Sequence, residues 1–215
     1  MNERVTFYLD GFNFYYGLKH IKRIDKKWRR VYWIDIVKLF SQFLSPSQTL
    51  EKIVYFTASP LNQEKSNRQG AFLNANKLLN DSKFEVVRGK YLKKIIECPN
   101  CKYAISKPEE KKTDVNMAIR MIGDCMDNKT DIIVLVSGDS DLLPPIEFIQ
   151  HKYPSKKIRV YFPPTVFSVD LKNNVKSHNG KIVFLENNFS KFEYSIMSDI
   201  VTKDGKTYNI PEKWR

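Results

Sequence analysis

The strongest constraint on the fold is a pair of apolar runs that each end in acidic side chains. Residues 5–9 (Val-Thr-Phe-Tyr-Leu) precede Asp10, and residues 131–136 (Asp-Ile-Ile-Val-Leu-Val) precede a Ser-Gly-Asp-Ser-Asp segment at residues 137–141. Short runs that lack polar alternation are typical of strands buried on both faces of a parallel sheet. The sequence therefore predicts an α/β protein in which helices cover both faces of a mostly parallel sheet.

The rest of the chain alternates between segments with strand and helix patterns. Further strands are predicted at residues 52–57, 84–88, 158–162 and 181–185, and helices at residues 33–44, 63–80, 113–125, 142–151 and 166–175. A polar and aromatic loop is expected after Asp10, and an irregular, lysine-rich insertion at residues 89–111. One domain is expected over residues 1–185, and residues 186–215 are expected to be an extended tail packed on it, because Trp214 lies near its end.

The composition is that of a basic globular protein. The length of 215 residues suits one domain, and the net charge of +12 favours an anionic partner such as nucleic acid or an acidic membrane surface, although many basic proteins bind neither. No run approaches the ~18 apolar residues of a membrane span. The chain enters a strand almost at once, which predicts no signal peptide, and three cysteines do not make a disulfide framework. These features predict a reduced, cytoplasmic protein.

Short carboxylate and amide side chains recur where the predicted strands should end. They are Asp10, Asn13, Asp114, Asp139 and Asp141. Ligands of open α/β sheets bind beyond the carboxyl ends of the strands, and hard oxygen donors select Mg²⁺ or Mn²⁺. Taken singly, each residue has an ordinary explanation as a helix cap, a turn residue or a first-turn acid. Their combination favours a divalent metal site.

This hypothesis favours phosphoryl-transfer chemistry. Two divalent ions held by carboxylates can activate a water molecule and stabilise both the attacking and the leaving oxygen of an in-line displacement. The sequence has no P-loop, no dinucleotide-binding fingerprint and no nucleophile-elbow motif. Its three histidines are not paired with any motif, so each is expected to be structural or exposed. P-loop nucleotide hydrolysis, dinucleotide redox chemistry and serine hydrolysis are therefore less favoured.

Basic side chains concentrate in two clusters. The N-terminal basic cluster comprises Lys19, Lys22, Arg23, Lys26, Lys27, Arg29 and Arg30, and the insertion cluster comprises Arg88, Lys90, Lys93, Lys94, Lys102, Lys107, Lys111 and Lys112. Trp28, Tyr32 and Trp33 lie within or just after the first cluster. Basic side chains interleaved with aromatic rings suit a single strand of nucleic acid, whose phosphates meet the charges while its bases stack on the rings. The alternative for each cluster is a solvated surface; the predicted nucleic-acid contacts are Arg29, Arg30, Lys93 and Lys94.

The insertion also contains a cysteine turn, defined as Cys98-Pro99-Asn100-Cys101. Its spacing is that of half a zinc site, and a tetrahedral ion needs two more ligands. A distant residue or a second copy of the chain in a homodimer would have to supply them. A redox pair is less favoured by the position in a loop rather than at a helix start, and free thiols or a loop staple remain the alternative.

Three segments, in order, resemble the NYN domain. They are residues 8–13 (Tyr-Leu-Asp-Gly-Phe-Asn), 109–116 (Glu-Glu-Lys-Lys-Thr-Asp-Val-Asn) and 136–142 (Val-Ser-Gly-Asp-Ser-Asp-Leu). The cysteine turn and residues 211–214 are also similar, so the resemblance covers nearly the whole chain. It is to the bacterial, LabA-like branch of a family in the PIN-like nuclease superfamily. Leu142 stands where many relatives have phenylalanine, a packing difference that does not affect the chemistry.

The resemblance implies a three-layer α/β PIN-like fold and Mg²⁺- or Mn²⁺-dependent cleavage of RNA. The roles it implies are metal-site carboxylates for Asp10, Asp114, Asp139 and Asp141, a polar helper for Asn13, loop-shaping residues for Ser137 and Ser140, and a phosphate contact for Lys111. Gly138 fits the sharp turn of that loop.

The resulting hypothesis is a ribonuclease acting on single-stranded RNA. One alternative is an RNA- or protein-binding regulator that retains the acidic pocket but cleaves little or not at all. A third hypothesis is a metal-dependent phosphatase or small-nucleotide hydrolase, which the pocket favours and the basic clusters do not.

Overall fold

The computed structural model describes residues 2–215, apart from the side chains of residues 93, 94 and 106–110. Its strands are β1 (Glu3–Asp10), β2 (Gln48–Thr57), β3 (Phe84–Arg88), β4 (Lys90–Glu97), β5 (Ala104–Lys111), β6 (Ile132–Val136), β7 (Lys157–Phe162), β8 (Lys181–Phe184), β9 (Ile200–Lys203) and β10 (Lys206–Asn209). Its α-helices are α1 (Gly11–Ile24), α2 (Ile36–Ser41), α3 (Gln63–Asn80), α4 (Thr113–Met126), α5 (Leu143–Lys152), α6 (Val169–Ser177) and α7 (Phe189–Tyr194). Short 3₁₀ helices lie at Lys26–Arg30, Asp81–Lys83, Ser140–Leu142, Leu185–Asn188 and Glu212–Trp214. Among these described residues, no helix has the length and apolar character needed to cross a membrane.

Six strands form one parallel sheet in the order β3-β2-β1-β6-β7-β8. β1 lies inside the sheet and pairs in parallel with both β2 and β6. The chain first extends the sheet on one side of β1 and then, after the β4–β5 hairpin, on the other side from β6. The strand order therefore reverses between β1 and β6, and the carboxyl ends of both strands lie at the same edge. The predicted α/β architecture, a parallel sheet flanked by helices and consistent with a PIN-like fold, is confirmed.

Helices bury both faces of the sheet. Alternate residues of a strand point to opposite faces, so Phe7 and Leu9 of β1 pack in the layer of α1, α2 and α3, whereas Tyr8 packs in the layer of α4, α5 and α6. All three side chains are fully buried. Burial of each contributes roughly 1.5–3 kcal/mol. The three layers follow from apolar side chains on both faces of the central strands.

The expectation of a loop after Asp10 is wrong, because α1 begins at the next residue. The Asp10 side chain caps α1 by accepting hydrogen bonds from the backbone N–H groups of Phe12 and Asn13. Phe14, Leu18 and Ile21 are the buried apolar residues of the helix, at helical spacing. The polar and aromatic residues between them obscured this pattern in the sequence.

The expectation of an irregular insertion is also wrong. β4 and β5 form an antiparallel hairpin whose register runs from the Lys90–Lys111 pair to the Glu97–Ala104 pair. Leu92 and Ile95 are more than half exposed, so apolar side chains of the hairpin face solvent instead of a core. These exposed apolar residues do not give the hairpin the apolar and polar alternation by which half-buried strands are recognised.

The last 30 residues are folded rather than extended. They form α7, the β9–β10 hairpin and a final 3₁₀ helix that ends at Trp214. Trp214 is buried and stacks on Tyr32, with ring centroids 5.6 Å apart. Elsewhere the element bounds differ from the predictions by a few residues: α2 is shorter than residues 33–44, α6 begins at Val169, and β2 begins at Gln48.

Candidate metal centre

The acidic residues meet at the sheet edge where the strand order reverses. Leu9 pairs with Val136 in the register of β1 and β6, so the chain continues side by side into Asp10 and Ser137. The Ser137 hydroxyl donates a 2.9 Å hydrogen bond to Asp10 Oδ2. Such a reversal opens the crevice in which ligands of open α/β sheets bind.

Asp10 is buried, and hydrogen bonds engage both of its oxygens. Oδ1 accepts from the backbone N–H groups of Phe12 and Asn13, each at 3.0 Å. Oδ2 accepts from Asn13 Nδ2 at 2.6 Å and from Ser137 Oγ at 2.9 Å. A carboxylate offers about four acceptor positions, so protein donors fill them all. Burial nevertheless raises the pKa of Asp10, against the opposing effect of these bonds.

The loop after β6 is held by its own polar groups and by Asn13. Gly138 N–H donates to Asn13 Oδ1 at 3.2 Å, and Asp139 N–H donates to Ser137 Oγ at 3.1 Å. Asp139 Oδ1 accepts from Asp141 N–H at 3.0 Å, so Asp139 caps the short helix that begins at the exposed Ser140. Asn13 therefore bridges Asp10 and this loop, and one face of the loop is fixed against the start of α1.

Gly138 has no room for a side chain. A Cβ atom built there would lie 2.5 Å from Val166 Cγ1 and 3.2 Å from the backbone nitrogen of Phe167. The close approach fits the sharp turn expected from the sequence, and it sets the path of the chain into Asp139.

Asp114 lies in the first turn of α4 and faces the other acidic residues. Burial and then the negative charges of Asp139, Asp10 and Asp141 raise the pKa of Asp114 to about 6. Charges act in this way only when they lie close together. The structure therefore brings all four predicted carboxylates into one electrostatic neighbourhood, here called the acidic centre.

The donor chemistry of the acidic centre fits a hard divalent cation. Carboxylate oxygens are the ligands that Mg²⁺ and Mn²⁺ prefer, and the raised pKa of Asp114 reflects repulsion that a cation would relieve. Asp10 would have to release Ser137 or Asn13 to bind an ion directly. Within the described part of the chain, no three acidic, histidine or cysteine side chains already form a group that could hold a metal.

Comparison with known families identifies the fold. The NYN domain model matches residues 4–179. This chain belongs to the NYN domain family. NYN domains are part of the PIN-like nuclease superfamily, so the predicted resemblance is confirmed.

Two known proteins are similar to this NYN domain, one in sequence and one in fold. The Pseudomonas putida (strain DSM 28022 / S16) 6-hydroxy-3-succinoylpyridine 3-monooxygenase is 28% identical, over an alignment that covers 68% of this chain and 55% of that protein. The chain therefore spans about half the length of this curated relative. The crystal structure of a Vibrio parahaemolyticus protein of unknown function superposes with a TM-score of 0.53 and 21% identity, covering 85% of this chain and 92% of the other. The second likeness concerns the fold alone.

The N-terminal basic cluster of this NYN domain is exposed, but its aromatic residues are not. Arg29 and Arg30 are exposed, whereas Trp28, Tyr32 and Trp33 are buried in the core. Trp28 packs edge-on against Phe189 and Phe192. Trp28 and Trp33 therefore cannot stack on bases, so that part of the interpretation is wrong. Tyr32 is buried as well, but it lines the cavity described below.

The insertion cluster lies on the β4–β5 hairpin. Lys111 is exposed at the end of β5, three residues before Asp114, which places its backbone beside the acidic centre. Lys93 and Lys94 belong to β4, but their side chains lie outside the described residues. The hairpin thus leads from the acidic centre to the cysteine turn.

The cysteine turn forms the tip of the hairpin. Backbone hydrogen bonds from Cys101 and Asn100 to the Cys98 sulfur lower the pKa of the Cys98 thiol. A lowered thiol pKa favours the thiolate form that binds metals. Cys125, the third cysteine, is buried in α4, where burial raises its pKa to about 11. The tip therefore offers two sulfur ligands, and the zinc hypothesis still requires a second copy or a distant residue.

An aromatic cavity, which no sequence motif predicts, lies next to the acidic centre. The aromatic cavity has a volume of about 310 Å³; Tyr32, Tyr55, Phe72 and Trp214 line its buried side, and Phe12, Tyr16 and Tyr91 line its outer side. Gly11, the neighbour of Asp10, also lines it. The sequence feature that could have indicated this cavity is the aromatic run at residues 12–16, which follows Asp10 and Gly11. This run places rings on more than one face of α1.

Proposed function

We propose that this NYN domain is a metal-dependent ribonuclease that hydrolyses phosphodiester bonds of single-stranded RNA. The proposal is supported by the acidic centre, where Asp10, Asp114, Asp139 and Asp141 act on one another at the sheet edge where the strand order reverses. Such a concentration of negative charge favours a bound cation. In a chain of net charge +12, it also favours a polyanionic substrate that is drawn to the surrounding positive surface.

The residues of the acidic centre have separate roles in this proposal. A bound Mg²⁺ or Mn²⁺ would lower the pKa of a water molecule and neutralise charge on the phosphate. Hydrolysis joins the water oxygen to phosphorus and breaks the bond from phosphorus to the leaving ribose oxygen, which takes up a proton. Asp114, Asp139 and Asp141 would hold the ion, and Asp10 would join them if it released Ser137 or Asn13. Lys111 contacts a phosphate group.

The strand is proposed to extend from the acidic centre along the two basic clusters. Neutralising each phosphate releases counterions, so the logarithm of the affinity falls with the logarithm of the salt concentration by about 0.7 per contact. Replacing Arg29, Arg30, Lys93 and Lys94 with alanine should therefore flatten this slope by up to about 3. An unchanged slope would mean that these residues form only a solvated surface. The cytoplasm is the proposed location, since the cysteines include no predicted disulfide framework.

The decisive experiment measures cleavage of labelled single-stranded RNA with Mn²⁺ and with chelator. Asp139→Asn keeps the shape of the side chain and removes its charge, so we expect cleavage to fall by at least about 100-fold, as when a key charge-stabilising group is removed from an active site. Asp170→Asn is the matched control: it changes an acid in the first turn of α6 and should cleave normally. Circular dichroism checks that both variants fold. Cleavage that survives in Asp139→Asn, or in chelator, would contradict the proposal.

The regulator hypothesis is supported by the full set of hydrogen bonds on Asp10. It predicts salt-dependent RNA binding without cleavage in Mg²⁺ or Mn²⁺. The third hypothesis, a phosphatase or small-nucleotide hydrolase, predicts turnover of mononucleotides that is at least as efficient as that of RNA. The same assay, repeated with mononucleotides, therefore distinguishes all three.

The curated relative suggests a second ligand class. Its name concerns a pyridine ring with an acidic side chain, and the aromatic cavity offers rings together with Lys65 and Arg68. Binding of 6-hydroxy-3-succinoylpyridine should change the fluorescence of Trp214, which lines the cavity. Micromolar binding, lost in Arg68→Gln, would favour this function over RNA cleavage. No change at millimolar ligand would exclude it for this domain.

A further inference from the structure

The aromatic cavity and the acidic centre share the turn that joins β1 to α1. Asp10 belongs to the acidic centre, whereas the next two residues, Gly11 and Phe12, line the cavity. The Tyr55 hydroxyl, in the cavity wall, donates a long 3.4 Å hydrogen bond to the Gly11 carbonyl oxygen. Burial and then the charge of Asp10 raise the pKa of Tyr55. A ligand in the cavity therefore lies beside whatever binds at the acidic centre.

The cavity wall is made of flat rings. Tyr32 and Trp214 stack with ring planes 19° apart, and Phe72 meets Trp214 edge-on. At the outer side Phe12 stacks with Tyr16, at 6.4 Å and 20°, and meets Tyr91 edge-on at 5.7 Å. The Tyr16 ring is more than half exposed. The outer rings are at least partly exposed, whereas the inner rings are buried.

Two cations of α3 complete the lining. Lys65 is exposed, and the Arg68 side chain is 18% exposed. Arg68 forms an ion pair with Glu64 at 3.7 Å, which is too long for a hydrogen bond, and the residue also lines the cavity. Gln69, by contrast, is fixed by hydrogen bonds to Thr57 and Ala58. Rings with two cations beside them fit an aromatic group attached to an anion.

We propose that the aromatic cavity binds one base of the RNA strand, that of a nucleotide next to the scissile phosphate, with Arg68 and Lys65 contacting that nucleotide's phosphate. This inference rests on the proposed ribonuclease function, which places the scissile phosphate at the acidic centre. The volume of about 310 Å³ lies at the lower end of the range for small-ligand pockets, so it accepts a single ring system and not a peptide helix. The cavity also supplies a stacking surface, which the buried Trp28 and Trp33 of the N-terminal basic cluster cannot.

The test uses binding without metal, so that cleavage plays no part. The probe is a fluorescent RNA of eight nucleotides, compared with a series in which one position at a time lacks its base. Removing the base that occupies the cavity should weaken binding to the wild type by roughly 5- to 150-fold, the range known for base–aromatic stacking. Removing other bases should have smaller effects.

The variant Tyr16→Ala removes an outer ring without touching the core, and the control Tyr194→Ala removes a 65% exposed ring from α7, away from the cavity. In Tyr16→Ala the penalty for the missing base should shrink at that one position, whereas in Tyr194→Ala it should match the wild type. Arg68→Gln should weaken binding of the intact RNA while preserving the fold. Melting curves confirm folding of each variant.

Several results would overturn the inference. No base enters the cavity if removing a base weakens RNA binding equally in Tyr16→Ala and in the wild type. The same conclusion follows if removing the base leaves the affinity unchanged at every position. A free mononucleotide that binds as tightly as the RNA would identify a pocket for small ligands. Cleavage with Mn²⁺ is then measured separately: cleavage without a base penalty refutes only the base pocket, whereas a base penalty without cleavage refutes only the nuclease and supports base binding.

Discussion

Asp114 gives the sharpest test of the acidic centre, because its charge opposes folding of the metal-free protein. Burial and the charges of Asp139, Asp10 and Asp141 raise the pKa of Asp114 to about 6, from about 4 for a free aspartate. A carboxyl group with a raised pKa in the folded state lowers stability once it ionises. The penalty is therefore absent below pH ~4, grows between pH ~4 and ~6, and is complete above pH ~6.

The size of the effect follows from the pKa. Raising a pKa from about 4 to about 6 corresponds to about 3 kcal/mol. This is an upper limit because Asp114 is only partly buried and water screens its charge. We therefore expect Asp114→Asn to raise the free energy of unfolding by about 1 kcal/mol at pH 8 in chelator, and by nothing at pH 4. The reference is Asp170→Asn, because both changes remove an acid from the first turn of a helix and lose the same dipole interaction.

The assay is urea unfolding followed by tryptophan fluorescence, with and without Mn²⁺. Ligand binding stabilises the folded state by about 2.7 kcal/mol at 100 times the dissociation constant. The wild type should gain this stability in Mn²⁺ and the variant should not, so the order of stability reverses when metal is added. If Asp114→Asn is no more stable than Asp170→Asn at pH 8 in chelator, the four carboxylates do not repel one another as described. If Mn²⁺ stabilises both variants equally, Asp114 is not part of a metal site.

Three further predictions concern the loop, the sheet edge and the hairpin. Gly138→Ala should weaken Mn²⁺ binding by about 10-fold or more, because the added Cβ displaces the loop that carries the carboxylates. The control is Gly123→Ala, where an added Cβ meets no neighbouring atom. It should leave metal binding unchanged and stabilise α4 by up to about 1 kcal/mol. Arg4→Gln should lower the free energy of unfolding, measured by urea unfolding, by about 1 kcal/mol at pH 7 and by less as the pH falls from 5 towards 2. The reason is that Arg4 holds the pKa of Asp131 well below its usual range, and protonation of Asp131 removes the ion pair between them. Elemental analysis combined with the mass in solution should find about half a zinc ion per chain in a dimer if two cysteine turns share one ion; a metal-free monomer with reactive thiols would contradict this.

The elements that could be predicted from the sequence are those with a single strong signal. β3, β6 and α3 lie at the predicted residues, because a short apolar run or a long helical spacing has one structural solution. The pattern of α1 is obscured in the sequence because Phe12, Tyr15 and Tyr16 place rings on several faces of the helix, and all three line the cavity. The amphipathic pattern of a helix that borders a cavity is broken by the residues that line the cavity.

The features of the candidate site also differ in whether they could be predicted from the sequence. The acidic residues could be predicted as a set, because each lies next to an element end, and parallel strands bring their ends together. The hydrogen bonds of Asp10 could not, since they depend on the register that sets Ser137 beside it. The cavity could not be predicted either, because its buried rings, Tyr32, Tyr55, Phe72 and Trp214, come from four distant parts of the chain.

The turn from Asp10 to Asn13 explains why one short segment serves two sites. Asp10 caps the helix and Asn13 bridges to the Gly138 amide, so these two residues face the loop of the acidic centre. Gly11 lies so close to β2 that a Cβ atom there would be 2.7 Å from the Phe56 carbonyl oxygen, and any other residue would push the helix away from the sheet. Phe12 lines the aromatic cavity. The close packing that Gly11 permits therefore fixes the distance between the acidic centre and the cavity. The proposed RNA strand, which occupies both sites at once, requires such a fixed distance.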